Sequence, residues 1–218
     1  ILILICSILK KKCNKSISNL IESFSTSTTQ SNTGKNNWKQ LGKDINGKVK
    51  NEKSGYSVSL SDNGNIVAIG ATGGIGGNVR VYEYKDIDKS EWVNTKINIV
   101  KGDDTNHKVD KKYWIQLGSD ICGKGDTDQS GWSVSLSSDG KTVAIGAKSA
   151  RINGINSGSV SVYKYNGTNW SQLGSDINGE DISANCGYSV SLSSDGETVA
   201  IGTPFNDGDG SKPGHVRV

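Results

Sequence analysis

What the sequence lacks narrows it first. The 218 residues contain no methionine, only 2 histidines and no more than 33% hydrophobic residues. A chain that opens Ile1-Leu2-Ile3-Leu4 without methionine reads as processed, or as a piece of something longer. An apolar share well under the usual ~45–50%, with leucine and methionine scarce, weighs against a helical bundle. The 25 basic and 22 acidic residues nearly cancel at a formal +3, which gives no electrostatic case for a nucleic-acid partner. No Ser-His-Asp set, Cys-x-x-Cys pair or phosphate loop ending in Lys-Ser/Thr is present. Glycine, in contrast, is plentiful at 28 residues, and favours many short strands joined by tight turns.

The N-terminus is compositionally separate. Residues 1–9 are nearly all apolar and Lys10-Lys11-Lys12 follow directly. Nine residues are too few to cross a bilayer, which takes about 20 in a helix. The lysine flank fits a stop-transfer boundary better than a cleavage site, so residues 1–12 are expected to be a truncated signal or membrane-anchor segment. Residues 13–37, rich in Ser, Thr and Asn, read as a linker with one or two amphipathic turns at Ile17, Leu20, Ile21 and Phe24.

From residue 38 onward the chain repeats itself. Ser54-Gly55-Tyr56-Ser57-Val58-Ser59-Leu60-Ser61 returns as Ser130 to Ser137 and as Cys186 to Ser193. Each run leads through Asn63-Gly64, Asp139-Gly140 or Asp195-Gly196 into a second strand of the type Val143-Ala144-Ile145-Gly146-Ala147. Strand-like runs flanking Asn-Gly or Asp-Gly are the strongest short hairpin signal. A third strand follows at Asn78–Tyr84 and Ser159–Tyr165, and a fourth is expected at Trp38–Ile45, Trp114–Ile121 and Trp170–Ile177. Four short strands in 50–60 residues is the length of a β-propeller blade. The predicted fold is therefore all-β: a partial β-propeller of about three four-stranded antiparallel blades over 38–218, with an insertion at about 86–113. A sandwich of repeated hairpins and a solenoid are the alternatives. In each first strand serines occupy one face and bulky residues the other, which would let neighbouring blades approach closely on the serine side. Trp38, Trp114 and Trp170 hold one place in the repeat and are expected to cover blade seams ahead of forming a ligand-stacking belt.

These residues resemble the FG-GAP repeats of the integrin α-subunit N-terminal propeller. The matching elements are Gly131-Trp132-Ser133-Val134, Gly146-Ala147 and Gly158-Ser159-Val160-Ser161-Val162-Tyr163, and in the third copy Gly187-Tyr188, Gly202-Thr203-Pro204 and Gly214-His215-Val216-Arg217-Val218. The resemblance implies a propeller, usually seven-bladed, at a cell surface or outside the cell, used for binding and not for catalysis. It also implies calcium loops between first and second strands. Here that connection is only Ser-Asp-Asn-Gly or Ser-Ser-Asp-Gly, too short to wrap an ion that takes six to eight oxygens. Three blades cannot close a ring of four to eight, so an arc of a larger propeller is expected.

Candidate sites are few. Asp207 and Asp209, in Asn206-Asp207-Gly208-Asp209-Gly210, have the spacing of a weak calcium loop, and Asp126-x-Asp128 a weaker one. Gly73-Gly74-Ile75-Gly76-Gly77 reads as a turn, since no helix follows to bind phosphate. His107 lies in the insertion and His215 in a third strand. Cys122 and Cys186 sit in equivalent connections of adjacent blades, and would pair only if those loops converge. No catalytic residue and no cofactor beyond calcium is expected. The predicted function is protein or glycan recognition through the connections 72–78, 148–158 and 203–214, with the 86–113 insertion as a second surface. Membrane contact would come only through the N-terminal segment. The competing readings are a propeller enzyme, a glycosidase or oxidase whose catalytic blades lie elsewhere, and a purely structural repeat array.

Overall fold

The computed structural model describes residues 38–86, 112–207 and 213–218. The N-terminal segment, the linker, the interior of the insertion with His107, and Asp209 all lie outside the described residues.

The serine/bulky alternation and the Asx-Gly turns yield the hairpins they predict. In the first blade β1 (Ser54–Leu60), β2 (Ile66–Ala71), β3 (Asn78–Asp86) and β4 (Lys112–Gln116) form an antiparallel sheet in that order, with β5 (Ile121–Cys122) also on β3. The second blade is β6 (Ser133–Leu136), β7 (Thr142–Ala147), β8 (Ser159–Tyr165) and β9 (Trp170–Asn178). The third is β10 (Ser189–Leu192), β11 (Val199–Thr203) and β12 (His215–Arg217). Register repeats with the sequence: Val58 faces Ile69, Val134 faces Ile145 and Val190 faces Ile201. Each turn is locked by its own side chain. The Asp139 carboxylate accepts from the Ser137 hydroxyl and the Lys141 amide (2.6 and 2.9 Å), and Asn63 and Asp195 do the same in their copies.

Two expectations about the fourth strand need correction. Trp38–Ile45 is not a strand, because no described third strand lies beside it; Trp38 is 93% exposed. The strand expected at Trp114–Ile121 is broken into β4 and β5 by the turn at Gly118, whose φ is +66°.

Gln40–Val218 form one compact unit, and the sheets in it meet through their first strands. The Ser57 hydroxyl donates to the Gly131 carbonyl (2.7 Å) and Ser133 to Gly187 (2.8 Å). The Leu136 amide donates to Ser59 and the Leu192 amide to Ser135, both at 2.9 Å. The serine face thus does what its small size allows. A Cβ on Gly70 or Gly146 would lie 2.2 or 2.1 Å from the next blade's Gly131 or Gly187 carbonyl, so only glycine fits there. The bulky face fills the other side of the seam: Val134, Leu136, Val143 and Ile145 pack on Ile66, Ala68, Val79 and Val81 in one buried cluster. At the outer edge the Trp114 indole donates to the Leu41 carbonyl (2.9 Å) and the Trp170 indole to the Leu117 carbonyl (2.8 Å). Trp114 and Trp170 therefore bridge successive repeats as expected, whereas Trp38, expected at the same place, is exposed and covers no seam among the described residues. Among the described residues the sheets do not close into a ring.

Candidate functional site

Second-to-third-strand loops and fourth-to-first-strand connections emerge at the same end of the blades. The sequence suggests loops free to vary there, but the backbone ties them down. The connection before the second blade bonds to the preceding loop through Ser130 N to Gly76 O (2.8 Å), Gly76 N to Asp126 O (2.8 Å) and Gly123 N to Gly77 O (2.9 Å). The connection before the third blade repeats this with Cys186 N to Ser157 O and Gly179 N to Gly158 O, both 2.9 Å. On its other side each connection holds its own blade: Gly73 N, Ser149 N and Phe205 N donate to the carbonyls of Glu52, Asp128 and Ala184. Lys53, Gln129 and Asn185 adopt the left-handed region at one equivalent place, φ +57°, +56° and +57°, to turn the chain into the first strand.

That turn aims the aromatic of each repeat along the same end. Tyr56 and Trp132 have ring centroids 4.7 Å apart, Trp132 and Tyr188 5.6 Å, and Tyr188 and Phe205 6.2 Å. Tyr56, Tyr188 and Phe205 are exposed. The Lys148 ammonium stands 3.9 Å from the Trp132 ring centroid, and burial lowers its pKa. Ile75, Ile152, Ile155 and Ile182 are exposed on the flanking loops. Four aromatic rings in a row, framed by exposed isoleucines, make this end an apolar surface.

Beneath it lies a set of charges that sequence reading missed. The Glu52 carboxylate, 2% exposed, accepts from the buried Arg80 guanidinium, from Asn78 (3.2 Å) and from the Lys48 amide (2.6 Å). Burial pushes Glu52 up, but these hydrogen bonds outweigh it and hold its pKa at about 2. Arg80 also donates to Asp120 (2.7 Å), which receives Lys48 and Gln116, both at 2.8 Å. The second blade repeats the outer half: Asp176 accepts from Lys124 (2.7 Å), Gln172 (2.8 Å) and Ser161 (2.6 Å). Burial likewise opposes the shift at Asp120 and Asp176, and the donors overcome it, lowering both. Arg80 sits between Val79 and Val81 like an outward residue. The clue was the recurrence of Lys-x-x-x-Glu/Asp before the first strand at Lys48/Glu52 and Lys124/Asp128.

The remaining candidates stay apart. Asp207 is half-buried, and its proposed partner Asp209 is outside the described residues. The Asp128 carboxylate is engaged by the Gly125 amide at 2.7 Å. No group of three His, Cys, Asp or Glu side chains placed to hold a metal occurs among the described residues. Cys122 is exposed, Cys186 is buried with its thiol pKa raised by burial, and neither is in a disulfide. His215 is half-buried in β12. A cleft between the first two blades is lined by Cys122, Lys124, Ser161, Tyr163 and Asp176, but the lysine and carboxylate there neutralise each other.

Sheets of repeated register, joined through first strands and unclosed, define a propeller-type β-repeat domain. Within it, residues 124–163 match the model of the FG-GAP repeat, from the connection before the second blade to Tyr163 of the Val-x-Val-Tyr run in β8. These residues form an FG-GAP-like repeat, and the flanking copies carry the same turns and pairings. No curated protein matches the chain.

Proposed function

We propose that this domain is a non-enzymatic binding module that recognises a protein or glycan ligand through the aromatic end of its blades. The observation that carries this reading is the row Tyr56, Trp132, Tyr188 and Phe205 on a backbone fixed by main-chain bonds. Aromatic rings supply contact area at little entropic cost, and loops already tied down lose little freedom on binding. The integrin-like resemblance, and the apolar segment 1–12 with its lysine flank, support a site of action at a cell surface or outside the cell. Asp207 and Asp209 are a proposed calcium pair in the sequence between β11 and β12. Calcium that raises Tm in the wild type but not in Asp207→Asn supports the pair, and an unchanged Tm dismisses it.

The test is a glycan array together with a panel of purified cell-surface proteins, probed with the wild type and with Tyr188→Ala/Phe205→Ala. Binding that weakens at least tenfold in the double variant supports the reading. Binding that ignores the variant, or turnover of a bound glycan, overturns it.

A further inference from the structure

One position of the third strands is filled differently in the middle blade. Arg80, Ser161 and Arg217 hold equivalent register, opposite Ile69, Ile145 and Ile201 of the strand before. In the first blade the Arg80 guanidinium lies between two carboxylates, donating from Nε to Asp120 Oδ2 (2.7 Å) and from Nη2 to Glu52 Oε1. In the third, Arg217 Nη2 donates to Glu180 Oε1 (2.6 Å). The middle blade keeps both carboxylate positions of the first, as Asp128 and Asp176, and its lysine, as Lys124. The arginine alone is replaced, and the Ser161 hydroxyl reaches only Asp176, at 2.6 Å. Two cations, Arg80 and Lys48, therefore answer Glu52 and Asp120, whereas Asp128 and Asp176 have one cation between them, bound to Asp176.

Where an arginine would run, the middle blade has a cleft. It holds about 370 Å³ of atom-free space, counting its open mouth, and Asp128, Ser130, Ser159, Ser161 and Asp176 line it. Asp128, Ser130 and Ser159 are only 9%, 5% and 6% exposed. Asp128 Oδ2 accepts from the Gly125 amide (2.7 Å), just as Glu52 Oε2 accepts from the equivalent Val49 amide. Asp128 Oδ1, the counterpart of the Glu52 oxygen that holds Arg80, has no partner among the described residues, and neither have the Ser130 and Ser159 hydroxyls. A carboxylate oxygen so nearly buried is costly to leave without a donor. Lys124 spans both oxygens of Asp176 at 2.7 Å, whereas Lys48 holds one oxygen of Asp120 and leaves the other to Arg80. With its side chain 52% exposed, Lys124 can retreat to the single bond that Lys48 makes.

We propose that this cleft binds a guanidinium group, the arginine side chain of a protein partner. Its N–H groups meet Asp128 Oδ1 and Asp176 Oδ2, as those of Arg80 meet Glu52 and Asp120, and the Ser130 and Ser159 hydroxyls accept the remaining donors. A planar fork of five donors reaches two separated carboxylates at once, which the compact ammonium of a lysine does less well. The side chain enters past Cys122, Lys124 and Ile152, which line the cleft and are exposed. The site uses none of the aromatic row, so the two stand or fall separately.

The experiment titrates Nα-acetyl-arginine amide into the isotope-labelled 218-residue chain and follows the Gly125, Ser130 and Ser159 amides by NMR. Saturable shifts at millimolar concentration are expected, the strength of a single small contact. Nα-acetyl-lysine amide should bind at least tenfold more weakly, and Asp128→Asn should weaken the arginine probe by as much. Ser161→Arg, which supplies the side chain found in the other two blades, should abolish binding and raise Tm. Circular dichroism checks that each variant folds, and Ser161→Arg decides alone if Asp128→Asn does not. Tyr188→Ala/Phe205→Ala should leave the titration unchanged. The proposal is overturned by a wild type without saturable shifts, by a lysine probe that binds equally, or by binding that survives in a folded variant. A Tm lowered by Ser161→Arg overturns it as well, since the cleft would then not fit the group.

Discussion

Glu52 shows how one buried carboxylate organises the entry to a blade. It neutralises Arg80 inside the sheet and gathers the Lys48 and Val49 amides, so that the turn before β1 closes around it. Removing one partner of a buried pair leaves a desolvated charge, a far larger penalty than losing a surface bridge. Glu52→Gln should therefore cost about 3 kcal/mol, a Tm drop of roughly 6–12 °C for a chain of this size. Lys85→Ala, which breaks the exposed bridge to Glu83, should cost under ~1 kcal/mol. The pH dependence has a definite sign. The folded pKa of Glu52, about 2, lies below its ordinary 4.5, so the stability it lends is complete above about 4.5 and is lost as pH falls toward 2. Asp120 and Asp176, shifted the same way, add to this acid limb. Thermal melts from pH 7 to 2 should show a flat region and then a fall that is shallower in Glu52→Gln; equal slopes would remove Glu52 as its cause.

Between blades the deciding feature is how closely two backbones approach. Gly146→Ala places a methyl 2.1 Å from the Gly187 carbonyl, which is itself held by Ser133, so the blades must part. A cost of at least ~2 kcal/mol is expected. Gly202→Ala meets only Ser189 among the described residues, whose hydroxyl can rotate away, and should cost less than half as much; urea denaturation of the two variants compares them directly. Trp170→Phe keeps the ring and loses the bond to Leu117, for a cost of about 1 kcal/mol. These seams also show what a sequence reveals. The hairpins were legible because Asn63, Asp139 and Asp195 each recur before glycine between strands of period two, and the serine face because Ser57 and Ser59 return as Ser133 and Ser135. The seam role of Trp114 and Trp170 was legible from their equivalent places. The ties between connections and loops were not, since bonds such as Ser130 N to Gly76 O use only backbone and leave no mark on side-chain pattern. The strand at 38–45 was misjudged for a related reason: Trp38–Ile45 has the pattern of a fourth strand, but a strand exists only beside a partner. Arg80 and Glu52 were passed over because single charges in a polar chain read as solvated, and only their pairing across 28 residues makes them a buried unit.

At the scale of the whole domain, each blade contacts only its neighbours, so stability is a sum of blade terms and seam terms, as in other repeat arrays. The middle blade shares two seams and contributes Val143, Ala144 and Val160, all fully buried. Among the described residues the third blade has one seam and three strands. Local opening follows the number of buried contacts, so amide exchange should be slowest in β7 and β8 and fastest in β10 and β12.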